Sequence, residues 1–194
     1  MEQNSPSIRW QIDTTIKVLT LAGQHVKHEH VYTLIHLISS SPEQYAYAMH
    51  STYLGCKDNL KQEALVMFVM WMIGEFGQLL LQPFSDNTLT TLPVEKADIL
   101  KVIEEVLENP KTNSEIRDYS LTALIKLSVK LGSDYMEKVN SLISSQMNWP
   151  VTEVQQRSME FQTLMQAKFN EKRRELVQAI PLSKRVSGLR SKAR

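Results

Sequence analysis

Cysteine is almost absent: Cys56 is the only one in 194 residues. No disulfide can close within the chain, and a zinc cluster built on several thiolates is excluded. The opening stretch, MEQNSPSIRWQ, is polar and has no apolar core of the kind a signal peptide needs. An Asn-x-Ser/Thr acceptor is also missing, so the expected compartment is the reducing cytoplasm. Glycine and proline are scarce, six and seven in all, and most of them fall between periodic segments. No stretch alternates apolar and polar residues as a half-buried strand would. Equally, there is no nucleophile motif, no glycine-rich phosphate loop and no HExxH. With no reactive set in view, neither an enzyme nor a cofactor is expected.

Charge is balanced overall but unevenly placed. Residues 168–194 hold nine Lys/Arg against two Glu, whereas residues 1–167 hold thirteen basic and nineteen acidic residues, so a net +1 conceals +7 and −6. Lys172, Arg173, Arg174, Lys184 and Arg185 are therefore candidate contacts to an anionic surface, where each cation contributes about 1 kcal/mol. A nuclear address or a nucleic-acid arm has the same charge, but only Phe169 offers an aromatic for base stacking. A solvated tail is the plainer reading of such a run. Composition divides the chain into a helical body, residues 1–180, and a basic tail, residues 181–194, expected to be disordered.

What the chain does have is one long apolar run. Residues 64–73, ALVMFVMWMI, are apolar without a break, and Leu79, Leu80 and Leu81 close the segment. A helix apolar on all sides has to be covered on all sides. Glu75, Gln78, Gly74 and Gly77 interrupt the run short of a membrane span, so a central buried helix from about residue 60 to 81 is expected. Around it the period is helical throughout. Ile8, Ile12, Ile16 and Leu19 precede Gly23; Val31, Leu34, Ile35 and Ile38 follow a polar turn. Ser41, Pro42 and Gln44 form a capping-box start for a third helix ending near Gly55. After a polar loop at residues 82–93, Ile99, Val102, Ile103 and Val106 form a stripe ended by Asn109-Pro110. A helix from about Ser114 stops at Gly132, and Ser133 caps the next one, which ends at Trp149-Pro150. Thr152 and Gln155 suggest a second capping box, opening a helix through Phe169, and a short basic helix runs on to Ile180. About nine helices start in pairs near residues 7, 42, 94 and 133. That spacing points to an all-α, HEAT- or armadillo-like α-solenoid, with a helical bundle as the alternative.

His25, His28 and His30 lie close together, but their spacing scatters one ligand off a helical face, and a polar turn is the simpler account. The nine methionines, with four at 49, 67, 70 and 72, suit a core that needs gap filling. Gly74 and Gly77 each cost about 1 kcal/mol against alanine within a helix. Close approach of another helix would account for them.

Four stretches carry a family resemblance. WMIGEFGQLL at residues 71–80 resembles the WxIGEYGxLL pattern of the large chains of clathrin adaptor complexes, with Phe76 in place of the usual tyrosine. RWQIDTTIKVLTLAG at 9–23, YSLTALIKLS at 119–128 and VQQRSMEF at 154–161 are similar to further stretches of the same family, in the same order. The match is best to gamma-adaptin. It implies the C-terminal part of a trunk α-solenoid, as a fragment or a truncated relative. It further implies a beta-type adaptin large chain as partner, with mu and sigma chains in the full complex. The expected place is cytoplasmic, peripheral on Golgi, endosome and clathrin-coated vesicle membranes. No catalytic, metal or cofactor residue is implied, and no nucleic acid. The mechanism expected is shape, stacked helix pairs presented to neighbouring subunits.

Overall fold

In a computed structural model, which describes residues 7–57 and 59–178, the apolar run lies at the centre. Nine α-helices are present among the described residues: α1 Ile8–Ala22, α2 His28–Ser39, α3 Tyr45–Lys57, α4 Glu63–Phe76, α5 Lys96–Glu108, α6 Ser114–Lys130, α7 Met136–Ser145, α8 Thr152–Met165 and α9 Asn170–Gln178. They stack as a HEAT-like solenoid. In one layer α1 packs on α3 and α5 on α7; in the other, α2, α4, α6 and α8 meet in succession. Helix α9 folds back on α6 and α8.

Burial of α4 follows from its composition. Ala64 to Met70, Met72, Ile73 and Gly74 are all buried, because neighbouring pairs cover the helix from both sides. Each large apolar side chain among them, such as Phe68 or Leu65, contributes about 1.5–3 kcal/mol by leaving water. The stretch Glu63–Leu81 is long and apolar enough to cross a membrane, yet it serves here as the core. Its α-helix ends at Phe76, and Gly77–Leu81 tightens into a 3₁₀ turn. The closest packing is between α4 and α6. A Cβ on Gly74 would lie 3.1 Å from Ala123 Cα, so the glycine lets two helix backbones approach. At Gly77 the neighbours are side-chain methyls, Leu127 Cδ2 at 3.3 Å and Ile73 Cγ2 at 3.5 Å.

Several local expectations change in three dimensions. Neither capping box forms. Ser41 is buried and makes no side-chain cap, and Pro42–Gln44 is a 3₁₀ turn leading into α3. Helix α8 is preceded by Val151 rather than capped by Thr152, and Gln155 Nε2 donates instead to Trp149 O at 2.7 Å. That helix also stops at Met165, where Gln166 turns extended, rather than at Phe169. Ser133 starts a 3₁₀ turn ahead of α7. The caps that do form are Ser7 on α1 and Asn113 on α6, each accepting from a first-turn amide. Gly132, at φ 90°, ends α6 in a conformation that other residues rarely adopt.

The polar loop holds a small hairpin that no strand pattern foretold. Strands β1 Phe84–Ser85 and β2 Thr90–Thr91 pair antiparallel, Phe84 opposite Thr91. Two residues are too few for a readable alternation. Side-chain anchors hold it instead. Arg9 donates to Asp86 at 2.7 Å and to Thr88 at 2.6 Å. Buried His50 meets Leu79 O at 3.2 Å and Thr91 Oγ1 at 2.8 Å. The Arg9 guanidinium and two backbone amides hold the Asp86 carboxyl well below the usual carboxylate range.

Candidate interaction groove

A groove of about 390 Å³ runs across the second layer between α4, α6 and α8. Helical spacing explains its lining. Trp71, Gly74 and Glu75 are three and four residues apart on α4; Glu115, Asp118, Tyr119, Thr122 and Lys126 recur along one face of α6; Arg157 comes from α8. Gly74 and Ala123 form the floor, where the two backbones are closest.

The charged groups lining it are paired across helices. Lys126, almost wholly buried, forms an ion pair with Glu75. Lys130 donates to Gly74 O at 2.7 Å and Glu75 O at 2.5 Å, placing a cation on the end carbonyls of α4. Burial lowers the Lys130 pKa, and Glu75 opposes that shift. Arg157 Nε lies 3.3 Å from Asp118 Oδ1. Burial raises the Asp118 pKa, with Arg157 pulling it back. Glu115 accepts from Tyr32 OH at 2.6 Å and faces His28 Nδ1 at 2.6 Å, which ties α2 to α6 over α4. That hydrogen bond, more than burial, raises the Tyr32 pKa. The arrangement offers aromatic walls and cross-linked charges, suited to recognition.

The residues singled out from sequence fall elsewhere. Lys172 and Arg174 are exposed on α9, but Arg173 is not a surface contact. It is 5% exposed, and its guanidinium donates to Leu164 O and Asn170 Oδ1, both at 2.9 Å, fastening α9 to α8. Lys184 and Arg185, with the whole basic tail and the end of the last helix, lie outside the described residues. Among the described residues no three His, Cys, Asp or Glu side chains gather to hold a metal ion. His25 meets Gln24 while His28 meets Glu115, so the histidines diverge. The Cys56 thiol is fully buried and pushed up to about 12, which leaves it inert. The groove residues were missed because their signal is three-dimensional. Glu115, Asp118 and Arg157 look in sequence like any solvated helix face.

Residues 1–168 match the family described as the adaptin N terminal region. The AP-1 complex subunit gamma-like 2 of Mus musculus is 35% identical over 184 residues, 95% of this chain and 23% of that protein. The AP-1 complex subunit gamma-1 of Schizosaccharomyces pombe is 38% identical over 166 residues, 83% of this chain and 19% of that protein. The gamma-1 subunit of Mycosarcoma maydis is 36% identical over 167 residues, again 19% of its length. The chain thus spans about a fifth to a quarter of the relatives it matches. The gamma type stands, but the expected place in the C-terminal part of the trunk does not, since the region matched is the N-terminal one. By that match, which covers most of its length, and by its stacked helix pairs, the chain belongs to the adaptin N-terminal-region family.

Proposed function

We propose that the chain is a structural subunit of a clathrin-associated adaptor complex in vesicle-mediated protein transport. The observation that carries this reading is the family match over residues 1–168, in which the similar proteins are named AP-1 gamma subunits. The partners are a beta-type adaptin large chain and, in the full complex, mu and sigma chains. The complex works in the cytoplasm, peripheral on Golgi, endosome and clathrin-coated vesicle membranes. The role is structural, not catalytic. Its physical basis is a stiff scaffold: Gly74 locks α4 onto α6, the Glu115 cluster ties α2 across them, and the groove presents a fixed set of aromatic and paired charged groups.

Co-expression with a tagged beta-type adaptin trunk tests it. Stoichiometric co-purification that survives size-exclusion chromatography is the expected result. A chain that never elutes with the beta-type trunk overturns the subunit reading. Salt-dependent nucleic-acid affinity, lost on deleting residues 181–194, would instead favour a helical-repeat adaptor for nucleic-acid or nuclear-transport partners.

A further inference from the structure

One end of the groove between α4, α6 and α8 is short of positive charge. Among the described residues, the charged groups close enough to act on Asp118 are Arg157, Glu153 and Glu115, so three carboxylates share one guanidinium. Glu115 is met by the Tyr32 hydroxyl and His28 Nδ1, hydrogen-bonding groups without a permanent charge. The other cations near the groove are spent: Lys126 pairs with Glu75, and Lys130 sits on the end carbonyls of α4.

Arg157 holds Asp118 loosely. Its Nε lies 3.3 Å from Asp118 Oδ1 and its Nη1 3.3 Å from Thr122 Oγ1, long beside the roughly 2.7–2.9 Å of a charge-assisted hydrogen bond. Asp118 Oδ1 is shut off from water and accepts no hydrogen bond. A buried acceptor in that state lacks a donor it could use. With 41% of its side chain exposed, Arg157 has room to turn outward and open Asp118 to the groove.

The walls suit a cation on a long apolar stem. Trp71 comes from α4 and Tyr119 from α6, and among the described residues no cation stacks on either ring. Elsewhere the fold fills such places itself. Arg9 lies over Tyr47 while paired with Asp86, and Arg117 lies over Trp149 while donating to backbone carbonyls. The groove has the same ring and acceptor, and at about 390 Å³ it is at the small end of ligand pockets, sized for a side chain rather than a packed helix.

We infer that the groove receives an arginine side chain from a basic segment of a partner protein, its guanidinium on Asp118 and its stem along the Trp71 and Tyr119 rings. Arginine fits better than lysine because its planar head both stacks on an aromatic face and pairs with a carboxylate.

An NMR titration of the full chain with the capped peptide acetyl-Gly-Ser-Arg-Arg-Ser-Gly-amide, read at the Trp71 indole N–H, tests this with no adaptor partner present. A negative result therefore leaves the subunit reading standing. The expected shift saturates and weakens as salt is raised. The Lys-Lys peptide binds several-fold more weakly, and the Gln-Gln peptide does not bind. Asp118→Asn weakens binding by about tenfold, the size of a lost hydrogen bond to a charged group. Arg157→Ala removes the competing cation and tightens binding by about threefold or more. Glu137→Gln, exposed on α7 in the other layer, changes nothing. Unaltered far-UV circular dichroism shows that the variants still fold. No shift, equal binding of the Gln-Gln peptide, indifference to Asp118→Asn, or weaker binding in Arg157→Ala overturns the assignment. Binding seen only after residues 181–194 are deleted also overturns it, since the groove would then belong to this chain's own basic segment.

Discussion

Arg117 is the largest fully buried side chain among the described residues, and removing it should be costly for a countable reason. Its guanidinium donates to Leu107 O at 2.7 Å, Asn109 O at 2.6 Å and Thr112 O at 3.2 Å, and to Gln146 Oε1 at 2.6 Å. It also stacks over the Trp149 ring at 3.3 Å. Two of those carbonyls lie at the C-terminal end of α5, where a cation is favoured, and Gln146 lies just beyond α7. One side chain thus joins the turn inside one helix pair to the turn inside the next. Arg117→Ala strands several buried acceptors at about 1–3 kcal/mol for each left without water or another donor. It also opens a cavity beside Trp149. The combined loss is about 3–5 kcal/mol, a large part of the roughly 5–15 kcal/mol that keeps a domain folded.

Urea unfolding followed by tryptophan fluorescence measures this directly. With a slope near 2 kcal/mol per molar, a loss of 4 kcal/mol moves the midpoint down by about 2 M. Arg117→Lys keeps the charge but has neither the planar fork nor the stacking face, so it should fall between wild type and alanine. Arg117→Ala and Gln146→Ala should also couple by about 0.5–3 kcal/mol in a double-mutant cycle. An alanine variant within about 1 kcal/mol of wild type, or a lysine variant no better than alanine, would falsify the staple reading.

Gly74 in α4 and Gly77 just beyond its end should behave differently. Gly74→Leu forces a side chain against the Ala123 backbone and should cost about 1–3 kcal/mol, lowering the thermal midpoint by several degrees, while Gly77→Ala displaces only a leucine methyl and should be nearly neutral. Burial lowers the His50 pKa from its ordinary 6.5. The unfolded chain therefore binds that proton first, and stability should fall as pH drops below about 6.5, with His50→Gln flattening the dependence between urea midpoints taken at about pH 7.5 and pH 5.5.

Fold class was legible because it rests on period. Stripes such as Ile99, Val102, Ile103 and Val106 are local, and each helix keeps its apolar face whatever it packs against. The glycines were legible too, since a residue that costs stability in a helix calls for a compensating contact, and Ala123 is that contact. Capping was less readable. Ser41-x-x-Gln44 and Thr152-x-x-Gln155 have the right letters, but burial of Ser41 and the pull of Trp149 O on Gln155 outweigh a local bond of about 1 kcal/mol. The hairpin failed for the opposite reason. Its strands are too short to show a pattern, and it is held by Arg9 and His50, residues 77 and 41 positions from their partners Asp86 and Thr91.

The groove shows where such reading stops. Charge density in sequence drew attention to Arg173, and the fold uses that guanidinium to hold α9 against α8. Glu75, Glu115 and Asp118 looked like ordinary solvated carboxylates, and each acquires a cation or a hydroxyl from another helix only when α2, α4, α6 and α8 stack. An ionic group paired in this way is costly to separate and poor at chemistry, but it fixes the position of its neighbours. That is the physical sense in which stacked helix pairs set the shape of a surface. Glu115 fixes the Tyr32 hydroxyl beside a groove lined by Trp71 and Tyr119, so that surface is organised before anything binds it.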